Sequence, residues 1–492
     1  MKLRELLESC SIRTVAGDLD VEILGLAYDS REVFPGFVFC AIRGTRTDGN
    51  NFVPKAIARG AVAVVSASPP IPSLRMPWIQ VEDERAALAG MAGNFFGHPT
   101  GKLHLVGITG TNGKTTTTYL VEEILKAADR AAAAFGTIEY RGPGFQFPAE
   151  RTTPEAPDLE KLFRQVVEAG WKYAVMEVSS HAIAMKRVQE LRFEVAVFTN
   201  LSRDHLDFHG DMDSYFRTKK KLFEGLCGVP PRMMVLNIDD SRYEELRNID
   251  PSRVISYGMQ LAAAICPLSY HFTWEGTEAR YKTPVGEMDV RTSLMGKPNL
   301  FNIGAAIAAA VALGVPADAI SRGIQQLPNV PGRFEPVNAG QKFRVIVDYA
   351  HTDDALRKLM QTAREITAGR LIVVFGCGGE RDHTKRPAMG EVAARESDYA
   401  IVTSDNPRGE DPMAIIHEIE AGMAGIDDAH YQIIVDRREA IRTALTEARE
   451  GDTVVIAGKG HETYQTIGSV SYPFDDRAVA RELLHELVTG RN

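Results

Sequence analysis

No apolar run in this chain approaches the roughly 20 residues that a membrane-spanning helix needs, so a membrane protein is not expected. Low-complexity tracts are missing as well. The opening stretch, MKLRELLESCSIRT, has no continuous apolar segment of the kind a signal peptide carries, which points to the cytoplasm. Cysteine is scarce: five residues, at 10, 40, 227, 266 and 377, odd in number and never in CxxC spacing. That excludes a disulfide frame or a cysteine zinc site and fits a reducing compartment. An excess of basic residues is also lacking, with 56 Lys and Arg against 65 Asp and Glu and a net charge of −9. A nucleic-acid partner is therefore not expected, and an anionic small ligand would need a local cluster of cations. GCGGER (376–381) does not meet GxGxxG, and NLSRDHLDFH (200–209), with His205 and His209 four apart, does not meet HExxH.

What remains is a soluble globular composition, 44% hydrophobic and 25% charged, over 492 residues. That length exceeds one ordinary core and predicts three domains. In 1–100 short strands and helices mix: VFCAI (38–42) and VAVVSA (62–67) read as strands, VPKAIARGA (53–61) as a helix, PPIPSLRMP (69–77) as a loop, and GNFFGHPTGK (93–102) as a linker. In 101–333 the apolar runs LHLVGIT, AVMEVSS, VAVFTNL and MMVLNID alternate with helical stretches, as a mostly parallel sheet covered on both faces requires. Within it, 270–294 reads as a β-hairpin excursion and 299–314 as a buried helix closed by Gly314. In 334–492, FRVIVDYA, LIVVFGCG, YAIVTSD, YQIIVD and TVVIAGKG give a Rossmann-like alternation.

The most informative stretch is GITGTNGKTTTTYL (107–120), a buried-type strand, a Gly-rich turn and a helix. Gly110 and Gly113 let backbone N–H groups approach a phosphate chain, and the helix N-terminus favours the anion. Lys114 would reach the terminal phosphates, and the Thr115 hydroxyl would ligate Mg²⁺. The strict GxxxxGK[ST] pattern fails by one place, because position 108 is Ile. ATP binding alone names no reaction.

Three further features stay open on pattern alone. In DMDSYFRTKKKLFEGL (211–226), Met212, Tyr215, Phe216, Lys219, Leu222, Phe223 and Leu226 share one helical face, whereas Lys220 and Lys221 point elsewhere. Lys219 is either a lysine whose head reaches water past the edge of the stripe or a buried amine with a lowered pKa. A neutral amine can take up CO₂ as a carbamate and bind a metal. Glu177 closes the strand AVMEV; it either faces a metal as a hard oxygen ligand or simply ends a strand. SDNPRGEDP (404–412) is either a surface turn or a ligand-binding loop at the C-terminal end of a parallel strand, with Arg408 as the reader.

GTNGKTT (110–116), EVSSH (177–181), TNLSRDHLDFHG (199–210), YFRTKKKLF (215–223), NLFN (299–302), PGRFE (331–335), DYAH (348–351), DNPR (405–408) and GKGHE (458–462) occur in this order, and with them the sequence resembles the Mur ligases of peptidoglycan synthesis over nearly its whole length. The resemblance implies an α/β fold of three domains: a small α/β UDP-binding domain (1–100), a central P-loop-type mostly parallel sheet ATPase domain (101–333) and a C-terminal Rossmann-like domain (334–492). It implies an ATP-dependent ligase acting through an acyl phosphate of UDP-MurNAc-L-Ala-D-Glu, with meso-diaminopimelate as the incoming amine, and a monomer as its working form. L-Lysine addition and a nucleotide-gated binding module without turnover are the competing readings.

The resemblance also implies roles. Gly110, Thr111, Asn112, Gly113, Lys114, Thr115 and Thr116 hold ATP, with Asn302 at the adenine and Arg333 and Asp348 meeting it from the closing C-terminal domain. Thr115 and Glu177 resemble ligands of one Mg²⁺; Glu177, His205 and Lys219, the last as a carbamate, resemble ligands of a second. Ser30, Thr152, Thr153, Ser179 and Arg187 match the segments that hold the UDP-sugar-peptide. Arg381, Asp405, Asn406, Pro407, Arg408, Gly458 and Glu462 match those that hold diaminopimelate, whose second carboxylate a guanidinium can grip bidentately. Departures are Met185 where relatives often have Gln, Asp353 where Pro is common, and Asn50 where His is frequent.

Overall fold

The computed structural model describes residues 1–44, 47–71, 74–226, 228–273 and 276–490. Cys227, the Pro72–Ser73 part of the 69–77 loop, and Trp274–Glu275 of the 270–294 excursion lie outside the described residues. The fold is α/β in three domains, each built around its own sheet. Among the described residues no helix is long and apolar enough to cross a membrane.

The N-terminal sheet runs in the order Ile12–Ala16, Trp78–Val81, Ala61–Ser66, Phe37–Cys40, Gly25–Ala27, with only the first pair antiparallel. The stretch expected to be a linker, 93–102, is ordered instead: Gly93–Phe96 complete the helix Glu84–Phe96, and Pro99–Lys102 form a 3₁₀ turn. Gly93 is buried, and a Cβ there would sit 2.6 Å from the His98 ring, so close packing rather than flexibility explains the residue. Gly97, at φ +76°, ends the helix in the left-handed conformation glycine favours.

The central sheet has eight strands, in the order Val254–Tyr257, Met233–Asn237, Val195–Phe198, His104–Thr109, Tyr173–Glu177, Ala132–Phe135, Glu139–Gly142, Phe145–Pro148. The first six are parallel and the last two add an antiparallel edge. Val195–Phe198 is buried at every position, the signature of a strand covered on both faces. Helices Lys114–Ala127, Lys297–Ala312 and Ala317–Gln326 pack on one face, around Leu120, Ile124, Ile303 and Ile320. Helices Ala156–Glu168 and Met212–Glu224 pack on the other, around Leu159, Phe163, Phe216 and Phe223. The excursion read as a hairpin is a three-stranded antiparallel sheet, Cys266–Thr273, Gly276–Thr283 and Gly286–Thr292, because pairing begins before the alternation becomes visible. The 299–314 helix spans Lys297–Ala312, with Gly314 just beyond its end at φ +64°.

The C-terminal sheet runs Glu335–Pro336, Arg344–Asp348, Thr453–Ala457, Leu371–Phe375, Tyr399–Val402, Tyr431–Ile433, parallel except for its first short strand. A separate hairpin, Tyr464–Ile467 with Val470–Pro473, follows it.

Candidate active site

Parallel strands present their C-terminal ends on one edge, and open α/β sheets bind ligands there. Here the loops leaving the C-terminal ends of central strands and of C-terminal strands line the same cavity, of 880 Å³. Thr137, Thr152, His181, Asp204 and His205 come from the central domain; Tyr349, Arg381, Asp405, Asn406, Arg408, Gly458 and Glu462 come from the C-terminal one. A second cavity, of 280 Å³, shares Thr137, Thr152, Asp204 and His205 with it and is lined by Thr111–Thr116, Glu177, Ser179, Lys219, Asn302, Arg333 and Asp348.

The turn after strand His104–Thr109 has no room for a side chain at either of its glycines. A Cβ on Gly110 (φ +139°) would lie 1.9 Å from the Thr199 hydroxyl, and one on Gly113 (φ +88°) 2.3 Å from Asn302 Oδ1. Helix Lys114–Ala127 starts directly after Gly113, so its free N–H groups face the turn. Lys114 Nζ donates to the carbonyls of Gly110 (3.0 Å) and Thr111 (2.7 Å), curling over the loop where a phosphate chain would lie. Asn112 N–H donates to Asn200 Oδ1, and Asn112 Nδ2 reaches Asp354 Oδ2 of the C-terminal domain at 3.1 Å.

Beside the loop, Thr115 Oγ1 donates to Glu177 Oε2 at 3.1 Å. Glu177 also accepts from Thr137, through the N–H at 2.8 Å and the hydroxyl at 3.0 Å. Thr137 belongs to no motif, so only its place beside Glu177 reveals it. Hydroxyl and carboxylate together make a hard-oxygen pair suited to Mg²⁺.

Lys219 lies on helix Met212–Glu224, 1% exposed, with its Nζ 2.9 Å from Gly110 O and 4.5 Å above the Tyr215 ring. Burial, followed by the neighbouring Lys114 ammonium, drives its pKa well below the ordinary lysine value. The amine is therefore buried rather than reaching water. The rest of the stripe is helical only to Glu224; Leu226, expected on the same helix, is buried beyond the end at Gly225, whose φ of +101° breaks it. Lys220 pairs with Glu224 and Glu245 on the surface side. His205 sits in the left-handed region at φ +54°, its Nε2 3.3 Å from Asp204 Oδ2, and burial holds its pKa below the usual value, leaving a neutral imidazole. Among the described residues no three His, Cys, Asp or Glu side chains converge as a metal cluster.

Arg333 enters from the inter-domain segment: its Nη2 donates to Thr115 Oγ1 at 3.2 Å and its guanidinium stacks 4.4 Å from the Tyr349 ring centre. Asp348 does not reach this cluster directly; its carboxylate accepts the N–H groups of Phe334 and Ala350 and so braces the chain beside Arg333. Asn302 Nδ2 donates to Asn299.

Thr153 Oγ1 bonds Glu177 O and Ser179 Oγ, and Thr152 Oγ1 lies 3.2 Å from Thr137 Oγ1. Arg187 donates to Thr153 O and pairs with buried Glu155, which also meets Arg151 and, from the N-terminal domain, Arg85. Ser30 is buried but lines neither cavity. Met185 offers Arg187 Nη2 a sulfur acceptor at 3.3 Å, Asn50 accepts from Ser66 at 2.7 Å, and Asp353 pairs with Arg203 across the domains at 2.9 Å.

On the opposite wall, Arg408 is in the left-handed region at φ +51° and its Nη1 donates to Gly379 O at 2.7 Å. Asn406 Nδ2 donates to Glu462 Oε2 at 2.8 Å, and wholly buried Lys459 joins Asn406 Oδ1 and Glu462. Lys459 lies inside GKGHE, where the resemblance implies roles for Gly458 and Glu462 alone. Gly458 (φ +114°) leaves room for Asp405, whose Oδ2 would be 2.7 Å from a Cβ there.

Three family models match in succession: "Mur ligase family, catalytic domain" over 22–96, "Mur ligase middle domain" over 108–310 and "Mur ligase, glutamate ligase domain" over 332–460. The chain is 49% identical, over 98% of both chains, to the UDP-N-acetylmuramoyl-L-alanyl-D-glutamate--2,6-diaminopimelate ligase of Solibacter usitatus. It is 44% identical to the ligase of the same name from Alkaliphilus metalliredigens, over 99% of this chain and 98% of that one. A solved structure of a ligase of that name superposes with a TM-score of 0.68 at 30% identity, covering 99% of each chain. Crystal structure I of MurF from Acinetobacter baumannii shares the fold at 20% identity and a TM-score of 0.69, over 99% of this chain and 98% of that one. By descent as well as by architecture, this chain belongs to the Mur ligase family.

Proposed function

We propose that this protein is the ATP-dependent ligase that joins meso-diaminopimelate to UDP-MurNAc-L-Ala-D-Glu in peptidoglycan precursor synthesis. The observation that carries this reading is the pairing, across shared cavities, of a phosphate loop with Arg408 and Arg381 on the opposing wall. Residues 1–100 bind the UDP-sugar, 101–333 bind ATP and 334–492 bind the amino acid. The enzyme works as a monomer in the cytoplasm, with no nucleic-acid or membrane partner.

The chemistry joins two anions, so charge must be neutralised before atoms meet. A carboxylate oxygen of the D-Glu residue attacks the γ-phosphorus of ATP, forming an acyl phosphate and releasing ADP. The free amine of diaminopimelate then attacks the acyl carbon, loses a proton, and expels phosphate to leave the amide. Lys114 and the N–H groups of the 110–116 turn hold the phosphates, Asn302 flanks the adenine, and Arg333 brings a further cation from the closing domain. Thr152, Thr153, Ser179 and Arg187 hold the sugar-peptide, with Ser30 near the uridine. The donors beside the loop fit Mg²⁺: the oxygens of Thr115 and Glu177 for one ion, and Glu177, the His205 imidazole nitrogen and carbamylated Lys219 for a second. Bound there, Mg²⁺ supplies Lewis-acid stabilisation of the transferring phosphoryl group.

Asp405, Asn406 and Pro407 belong to the loop that binds diaminopimelate, Gly458 and Glu462 hold its far ammonium, and Arg408 and Arg381 its distal carboxylate. L-Lysine lacks that carboxylate and would leave guanidinium groups unpaired, a mismatch that can cost roughly 10⁴–10⁵ in discrimination. Phosphate release with ATP, Mg²⁺ and UDP-MurNAc-L-Ala-D-Glu is expected with meso-diaminopimelate and not with L-lysine, and Arg408→Ala should abolish the difference. Equal release with lysine in the unmodified enzyme would refute the role of Arg408.

A further inference from the structure

Arg381 and Arg408 sit on different loops. Arg381 follows strand Leu371–Phe375, and Arg408 follows its parallel neighbour Tyr399–Val402. Two cations aimed at one carboxylate repel each other, so their spacing has to be imposed from beneath. The loops touch backbone to backbone: Gly379 N–H donates to Asn406 O at 2.9 Å, and a Cβ on Gly379 would lie 1.9 Å from Pro407 O.

Under both loops lies Arg386, fully buried in the first turn of helix Lys385–Glu396. Its Nη1 is 2.9 Å from Glu410 Oε2, and its Nη2 donates to Glu410 Oε1 (3.0 Å) and to Gly378 O (3.3 Å). Glu410 Oε1 also accepts the N–H of Glu380. A carboxylate from the loop of Arg408 thus grips the backbone beside Arg381, and one guanidinium holds both loops. Glu418, on helix Pro412–Ala421, pairs with the same guanidinium at 3.1 Å and meets the first loop at His383 Nδ1, two residues past Arg381, while Glu410 takes the backbone N–H beside Arg381. A cation in the first turn opposes the helix dipole, and a buried ion pair is a poor source of net stability. What the arrangement supplies is a fixed distance between two loop roots.

We infer that Arg386 and Glu410 are positioning residues that set the spacing of Arg381 and Arg408, and through it the preference for an amino acid with a second, distal carboxylate. This rests on the assignment of those two arginines under the proposed function. The test compares Glu410→Gln, Arg386→Lys, Glu418→Gln and Arg408→Ala by steady-state kinetics for each substrate. Glu410→Gln and Arg386→Lys should raise KM for diaminopimelate on the order of 10- to 100-fold and narrow its advantage over lysine, with KM for ATP and for the UDP-sugar-peptide held within about twofold. Glu418→Gln should leave all three KM values in place. An unchanged diaminopimelate KM in Glu410→Gln overturns the inference, as does a joint rise of all three KM values or an equal effect from Glu418→Gln. If Arg386→Lys does not fold, Glu410→Gln decides alone, since its partly exposed side chain keeps the same shape. Undiminished use of diaminopimelate by Arg408→Ala overturns the assignment of the arginines themselves, and the inference with it; a damaged Arg408→Ala beside a normal Glu410→Gln overturns the inference only.

Discussion

At the scale of single residues, the decisive group is Lys219. An ammonium without a carboxylate partner is costly to bury, and Lys219 donates instead to a carbonyl, Gly110 O. Burial and Lys114 both favour the neutral amine. A neutral amine adds to CO₂, losing a proton and leaving a carbamate, which would turn a misplaced cation into an oxygen ligand beside Thr115 and Glu177. With ¹³C-bicarbonate, the protein should show a carbamate carbon signal that disappears in Lys219→Arg. Lys219→Ala should lose activity, and a short carboxylate such as acetate should restore part of it. A ¹³C spectrum identical in both proteins would rule the carbamate out.

At the scale of elements, the C-terminal domain is tied together by a buried pair. Arg437, at the start of helix Arg437–Glu447, meets Asp476, at the start of helix Asp476–Thr489, at 2.7 Å, and both side chains are fully buried. Arg437 Nη2 also donates to Ala457 O, at the end of the strand that leads into Gly458. Removing one partner leaves an uncompensated buried charge, so Arg437→Met should cost roughly 3–5 kcal/mol, and Arg437→Met with Asp476→Leu should recover most of that loss. Urea unfolding of the three proteins checks it; a double variant as weak as the single one would show that packing rather than charge sets the cost.

At the scale of the whole molecule, polar contacts between the central and C-terminal domains include Arg203 with Asp353, Asn112 with Asp354 and Lys297 with Glu365, and Arg333 of the connecting segment reaches Thr115. The Arg203–Asp353 pair is 40% and 19% exposed, and pairs of that kind are worth up to about 1 kcal/mol, a bias of roughly fivefold in an open-to-closed balance. Asp353→Ala should therefore lower the closed fraction modestly, read as inter-domain energy transfer between fluorophores on the two domains without ATP. An unaltered transfer efficiency would mean the pair does not hold the domains. Asp353, expected from the resemblance to stand where Pro is common, has a definite structural use: it reaches a cation across the cleft.

Periodicity and turn chemistry determined the strands and helices of the central domain, because apolar runs buried on both faces and a Gly-rich turn before a helix leave few alternatives. They also put Lys219 on the apolar stripe. They failed at 93–102 and 266–294, where glycine used for close packing looks like glycine used for flexibility and where strand pairing starts before any alternation. Whether Lys219 reaches water, what Thr137 does for Glu177, and that Arg386 and Glu410 brace two loops were decided by tertiary structure alone. Each depends on residues tens to hundreds of positions apart meeting at strand ends, and a local pattern carries no signal for distance in space.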